Sequence, residues 1–310
     1  LFAKLGGAVK NLVIDESCTL TPADAVGAFG FVAKTVAASG SLENITNNVA
    51  AITLDATKYG AGSSQTEDAV YFGTLAGECY GAVKNCVNNS NITITTNPSG
   101  DDIRGMVYIG GLVGLLDTAE NIAANAEFVS MSKCENNGDI AYTVASGRGG
   151  FLFLGGLVGG TTATKLASST TNKAKIDGCT NKGVISHIYP ETATAIGAKT
   201  KDNSNFTYVA GVIGYCEGTV SNCVNGVGTT LDVTIPTVKP SSVTNDAVEG
   251  AITVTTPTLA SGFVVANAAV AGVAGMALMG GDGNINYAPI AVAGSYGPGT
   301  VGTSQLGGGS

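Results

Sequence analysis

The chain of 310 residues carries a formal net charge of −8 with only 12% charged residues, and its mean hydropathy is +0.28. Its 45 glycines disfavour a helical body, and a single histidine excludes a histidine-rich metal centre. The acidic balance, with no basic cluster to reverse it, argues against nucleic acid and anionic membrane surfaces as partners.

Leu1-Phe2-Ala3-Lys4 aligns with Phe31-Val32-Ala33-Lys34. The chain therefore opens inside a repeat, and its N-terminus reads as processed or truncated. An apolar-glycine phrase then recurs, starting at Phe29, Phe72, Ile109, Leu154, Val209 and Val270 at intervals of 37 to 61 residues. Its sharpest copies are Ile109-Gly110-Gly111-Leu112-Val113-Gly114 and Leu154-Gly155-Gly156-Leu157-Val158-Gly159. A Cys-x-Asn corner follows four of the phrases, at Cys86, Cys134, Cys179 and Cys223, and leads into alternating tails such as Asn91-Ile92-Thr93-Ile94-Thr95. Constant chemistry at irregular spacing predicts an all-β chain. The expected fold is a right-handed parallel β-helix, or β-solenoid, of about seven irregular coils stacked ~4.8 Å apart, with insertions at the corners.

Residues 1–293 are expected to form that single domain, and the glycine-rich stretch 294–310 a flexible tail. Insertions are expected at about 115–128, 160–173, 190–205 and 236–262. The first begins Asp117-Thr118-Ala119-Glu120, which predicts a short surface helix capped at Asp117. Leu231-Asp232-Val233-Thr234-Ile235 alternates and reads as a strand. The apolar run Phe263–Met279 has 17 residues and contains Asn267, so it suits a buried coil better than a membrane span.

Stacking turns equivalent residues into columns. One column holds Leu12, Ile45, Cys86, Cys134, Cys179 and Cys223, where cysteine replaces larger hydrophobes as an interior residue does. A second holds Asn47, Asn88, Asn136, Asn181 and Asn225, whose amides can bond the same group one coil away. In the phrase, Ile109 and Val113 are expected to face one way and Leu112 the other, so the strand is covered on both sides, with the insertions folding over its outer face.

Each candidate for chemistry has a plainer structural use. In-register cysteines point the same way, which suits free thiols rather than disulfides. Cys79 and Cys216 are equivalent but three coils apart, too far to bond. His187 aligns with Ile94 and Tyr142 in a packing row. The acids Asp15, Glu16, Asp55, Glu78, Asp101, Asp102, Asp139, Asp177 and Asp202 are dispersed, whereas polysaccharide lyases and hydrolases need converging groups. Gly280-Gly281-Asp282-Gly283-Asn284 offers too few oxygens for calcium. Tyr71, Tyr108 and Tyr208 each precede a phrase, and Tyr71 with Tyr108 is the candidate glycan-binding pair. Sequons occur at Asn44, Asn88, Asn91 and Asn205.

The GGLVG-type phrase followed by a Cys-x-Asn-x-Gly corner, sharpest from Phe72 to Asn225, resembles the GLUG-type repeats of bacterial cell-surface and secreted proteins. The resemblance implies a right-handed parallel β-helix and an adhesin-like role at the cell surface or beyond it. The expected function is that of a non-enzymatic structural or adhesin-like protein without cofactor or metal, contacting a surface partner. Its open strand edges also suit head-to-tail self-association into a filament. The alternatives are a glycan-binding module and a polysaccharide-degrading enzyme.

Overall fold

The computed structural model describes residues 1–19, 27–56, 69–96, 106–125, 127–144, 151–161, 174–188, 206–227, 251–255, 267–277, 280–288 and 290–293. These residues are nearly all β, and every strand pairing among them is parallel. Glycine, threonine and valine at high frequency favour short extended segments joined by tight turns. Four sheets result, and each repeat adds one layer to all of them.

The first sheet is built from the opening of the phrase: Ala28–Phe29, Val70–Gly73, Met106–Gly110, Phe151–Gly155, Phe206–Ala210 and Asn267–Ala271, in that spatial order. The chain bends at the second glycine of the phrase and enters the second sheet, with strands Phe2–Leu5, Ala33–Val36, Ala76–Cys79, Val113–Leu116, Val158–Gly160, Ile213–Cys216 and Ala274–Ala277. The third sheet carries the Cys-x-Asn corner. Its strands Ala8–Ile14 and Ser41–Asn47 are continuous, and in later layers they divide into short pairs such as Ala82–Lys84 and Val87–Asn88. The fourth sheet takes the alternating tails Ala51–Ala56, Asn91–Thr96, Ile140–Val144, Ile185–Ile188, Ile252–Thr255 and Ile290–Ala293. The second and third sheets therefore hold seven layers, the first of them represented only by residues 2–14.

One continuous core runs through the layers. Its fourth-sheet wall is a column of isoleucines, Ile52, Ile92, Ile140, Ile185, Ile252 and Ile290, and the first five are at most 2% exposed. Burying each contributes roughly 2 kcal/mol. A second, smaller cluster lies on the outer side of the first two sheets and comprises Ala69, Met106, Tyr108, Leu115, Phe153, Tyr208 and Tyr215.

Four sequence expectations are corrected by the structure. Phe2 pairs with Ala33 and Lys4 with Thr35, one residue away from the alignment of Leu1 with Phe31. Leu112 joins Ile109 and Val113 in the main core, because the bend at Gly111 breaks the alternation, and the outward residues are Tyr108 and Leu115 instead. Ile252–Thr255 is a strand of the fourth sheet, so the segment 236–262 is not all insertion. Its Ile252-Thr253-Val254-Thr255 alternates as Leu231–Ile235 does, and the latter lies outside the described residues. The helix appears at Ala119–Ala124, but Thr118 is its N-cap and makes no side-chain capping bond.

The expected insertion 190–205, nearly all of 160–173, and the tail 294–310 fall outside the described residues. The apolar run 263–279 supplies Asn267–Ala271 and Ala274–Ala277 to the first and second sheets. Among the described residues no helix is long and apolar enough to cross a membrane.

Candidate functional site

The asparagine column is the most developed polar feature. Asn47, Asn88, Asn136, Asn181 and Asn225 share one register position, and each is 0% exposed. Every Nδ2 donates to the Oδ1 of the next layer: Asn47 to Asn88 at 2.9 Å, and Asn88 to Asn136, Asn136 to Asn181 and Asn181 to Asn225 at 2.8 Å each. The second N–H is used locally. Asn88, Asn136 and Asn181 donate to the carbonyls of Ser90, Gly138 and Gly183. Buried amides are tolerated here because they are paired along the stack.

The column continues one layer further than the sequence reading carried it, to Asn286, whose Oδ1 accepts from Asn225 at 2.7 Å. Asn284 there replaces the cysteine, which hid the motif. Gly111, Gly156, Gly211 and Gly272 lie against these amides. A Cβ on Gly156 would stand 2.4 Å from Asn181 Oδ1, and one on Gly211 would stand 2.2 Å from Asn225 Cγ. Thr74 occupies the equivalent place one layer earlier and turns its hydroxyl onto the Gly111 carbonyl.

Cys86, Cys134, Cys179 and Cys223 stack as expected over Ile45. All four are free and buried. Burial, with the adjoining thiols, holds Cys134 well above the ordinary thiol range. Cys79 and Cys216 share a column three layers apart and are also free and buried, and burial pushes Cys79 up to about 12. Cys18 alone is exposed.

A second asparagine row, absent from the sequence reading, runs along the outside of the third sheet. Asn11, Asn44, Asn85 and Asn222 have φ between 51° and 56°, and Lys133 has φ 52° in the same register position. Gly178, at φ 61°, and Gly283, at φ 66°, hold the same position in their layers. Each layer turns through the left-handed region here, where asparagine and glycine are tolerated. The spacing Asn-x-x-Asn in Asn44–Asn47, Asn85–Asn88 and Asn222–Asn225 could have disclosed it.

The remaining candidates are structurally committed. His187 stacks on Tyr142 at 5.2 Å, and burial lowers its pKa to about 4. Its Nδ1 lies 3.3 Å from the Tyr142 carbonyl, which only accepts, so Nδ1 carries the proton. Asp139 Oδ1 accepts from the Val184 N–H, and Asp177 Oδ1 accepts from Asn222. Among the described residues no group of three or more His, Cys, Asp or Glu side chains is placed to hold a metal ion. Of the sequons, Asn44 and Asn91 are exposed, while Asn88 is sealed in the amide column.

Tyr71 and Tyr108 are adjacent but tilted by 35°, with centroids 5.2 Å apart. Phe153, which the sequence reading passed over, and Tyr208 extend the row at 4.5 and 5.6 Å. Tyr108 is only 1% exposed, so it offers no open face to a glycan, whereas Tyr71 is part-exposed. The helix Ala119–Ala124 closes a neighbouring corner: Asn121 Nδ2 donates to the carbonyls of Ala38 and Tyr80 at 3.0 and 2.7 Å. This insertion therefore binds its own stack across two earlier layers.

Comparison with protein-family models, with curated proteins and with solved structures gave no match to this chain.

Proposed function

We propose that the chain is a right-handed parallel β-solenoid of the GLUG-repeat type, serving outside the cell as a non-enzymatic structural or adhesin-like element. The observation that carries this reading is the distribution of the polar chemistry. Amides recur layer by layer in a column whose members satisfy one another, thiols stack in a column beside them, and the acids are dispersed, instead of meeting in a cleft where acid and base could act on one substrate. A stack of this kind presents a long, regular surface on which corner insertions can vary.

Protease shaving of intact cells that produce the native protein tests the location, and peptides from residues 1–293 are expected in the released fraction. Recovery of the chain only after lysis would refute the surface role. A screen on neutral and acidic polysaccharides is expected to show no cleavage, and turnover above background would refute the non-enzymatic one.

A further inference from the structure

The outer side of the third sheet carries two amide files that, unlike the interior column, stand in solvent. In the first, Asn44 Nδ2 donates to Asn11 Oδ1 at 3.0 Å and Asn85 Nδ2 to Asn44 Oδ1 at 3.1 Å. In the second, Asn89 Nδ2 donates to Asn48 Oδ1 and Asn137 Nδ2 to Asn89 Oδ1, at 2.7 Å each. Asn48 is part-exposed and the other five are exposed. Each ladder bond uses one N–H of its donor and one lone pair of its acceptor, so a second N–H and a second lone pair are left to solvent. The same bonds hold the amides in fixed orientations, which lowers the ordering cost of binding.

Between the two files runs the column Val13, Thr46, Val87. Strand alternation places it there: Ile45 and Asn47 turn into the core, and Thr46 between them turns out. Val13 is 63% exposed, one of four large hydrophobic side chains so placed among the described residues, and Thr46 and Val87 are part-exposed. In the second and third layers the face therefore reads amide, apolar group, amide across the sheet. The first file runs one layer earlier, to Asn11, and the second one layer later, to Asn137. Equivalent atoms repeat at the layer spacing of ~4.8 Å. The bordering charges largely cancel. Lys10 holds Glu43 at 2.6 Å and Lys182 holds Glu135 at 2.8 Å, while exposed Asp15 offsets one of the exposed Lys84 and Lys133.

We propose that this face, between the two asparagine files, binds a neutral β-1,4-linked polysaccharide lying along the stack. Such a chain is a flat ribbon with hydroxyls on both edges and C–H groups on its faces, and its sugars follow one another at an interval close to that of the layers. The C–H face packs on Val13, Thr46 and Val87, and the edge hydroxyls exchange hydrogen bonds with the flanking amides. The inference supplies a ligand class for the adhesin-like reading and rests on that reading only for its biological setting. Binding in solution is read independently of where the chain is displayed.

Calorimetric titration of the whole chain with cellohexaose, N-acetylchitohexaose and mannohexaose, against maltohexaose and hexagalacturonate, tests the inference. Saturable binding is expected for at least one of the first three, and none for the helical α-linked chain or the charged one. Val87→Lys places an ammonium group on the apolar strip and is expected to weaken binding at least about tenfold. Asn89→Ala removes one exposed amide and is expected to weaken it about three- to tenfold. Thr93→Lys, on the exposed face of the fourth sheet, is expected to bind as the unaltered chain does. Should Val87→Lys fail to fold, Asn44→Gly keeps the left-handed backbone at φ 56° while removing an amide of the other file, and is read as Asn89→Ala is. Silence with all three neutral β-linked chains, equal or stronger binding of maltohexaose or hexagalacturonate, undiminished binding in the folded third-sheet variants, or loss of binding in Thr93→Lys would each overturn the proposal.

Discussion

Replacing His187 should change how stability depends on pH, beyond changing its size. The imidazole is 2% exposed and shares its register position with Ile94, Tyr142 and Val254. Its folded pKa is lowered from 6.5 to about 4 by burial, and the Tyr142 carbonyl opposes that only in part. Above pH 6.5 neither the folded nor the unfolded chain protonates this ring, so it contributes no pH dependence. Between pH 6.5 and 4 the unfolded chain takes up a proton that the folded chain refuses, and stability falls by about 1.4 kcal/mol per pH unit. Below pH 4 both states are protonated and the loss levels off near 3 kcal/mol. Urea unfolding of the wild type and His187→Leu, followed by tyrosine fluorescence from pH 8 to 3.5, separates this from acid effects elsewhere, because the carboxylates are common to both. Relative to the variant, the wild type should lose about 3 kcal/mol across the window. A stability difference that stays constant with pH would refute the buried neutral imidazole.

The buried amide column predicts a graded series. Asn136→Ala removes a donor to Asn181, a donor to Gly138 and an acceptor for Asn88, and should cost about 3–5 kcal/mol in urea titration, because the partners stay buried and unpaired. Asn286→Ala, which strands only the Asn225 donor and the Ala288 carbonyl, should cost roughly 1–2 kcal/mol. Lys133→Asn places a residue tolerant of the left-handed region at φ 52° and should gain about 0.5–1 kcal/mol by the same titration. A chromogenic disulfide reagent should find one fast thiol, Cys18, in the folded chain and all seven cysteines after denaturation.

Legibility followed chemical repetition. The phrase and the Cys-x-Asn corner recur with the same residues, and their columns appear in the register predicted for them, from Phe29 through Val270. Positions where different residues do the same work were hidden. Asn284 in place of cysteine concealed the last corner, and Phe153 in a row of tyrosines concealed the length of the ring ladder. The one-residue error at Phe2 has a similar source, since Ala3-Lys4 and Ala33-Lys34 match as letters although Leu5 and Val36 are the true pair. The direction of Leu112 was lost because alternation assumes a straight strand, and the bend at Gly111 breaks it.

The two motifs occur together for a physical reason. The second phrase glycine and the corner asparagine lie side by side within each layer, and from Gly111 onward the amide fills the space a Cβ would need. Asparagine is short enough to reach the next layer's amide and polar enough to hold its own turn through the carbonyl two residues on. Aspartate would bring a charge that burial opposes, and leucine would leave the turn carbonyl unpaired. Since every Nδ2 points toward the later layer, each bond fixes the register of the one after it. A shift by one residue would place the apolar outer and inner neighbours of the asparagine in the wrong columns. The corner thus holds the alignment of the stack, and the connections beyond it are free to differ in length and sequence. Recognition of a partner is accordingly expected on that variable outer side and not along the repeated chemistry of the interior.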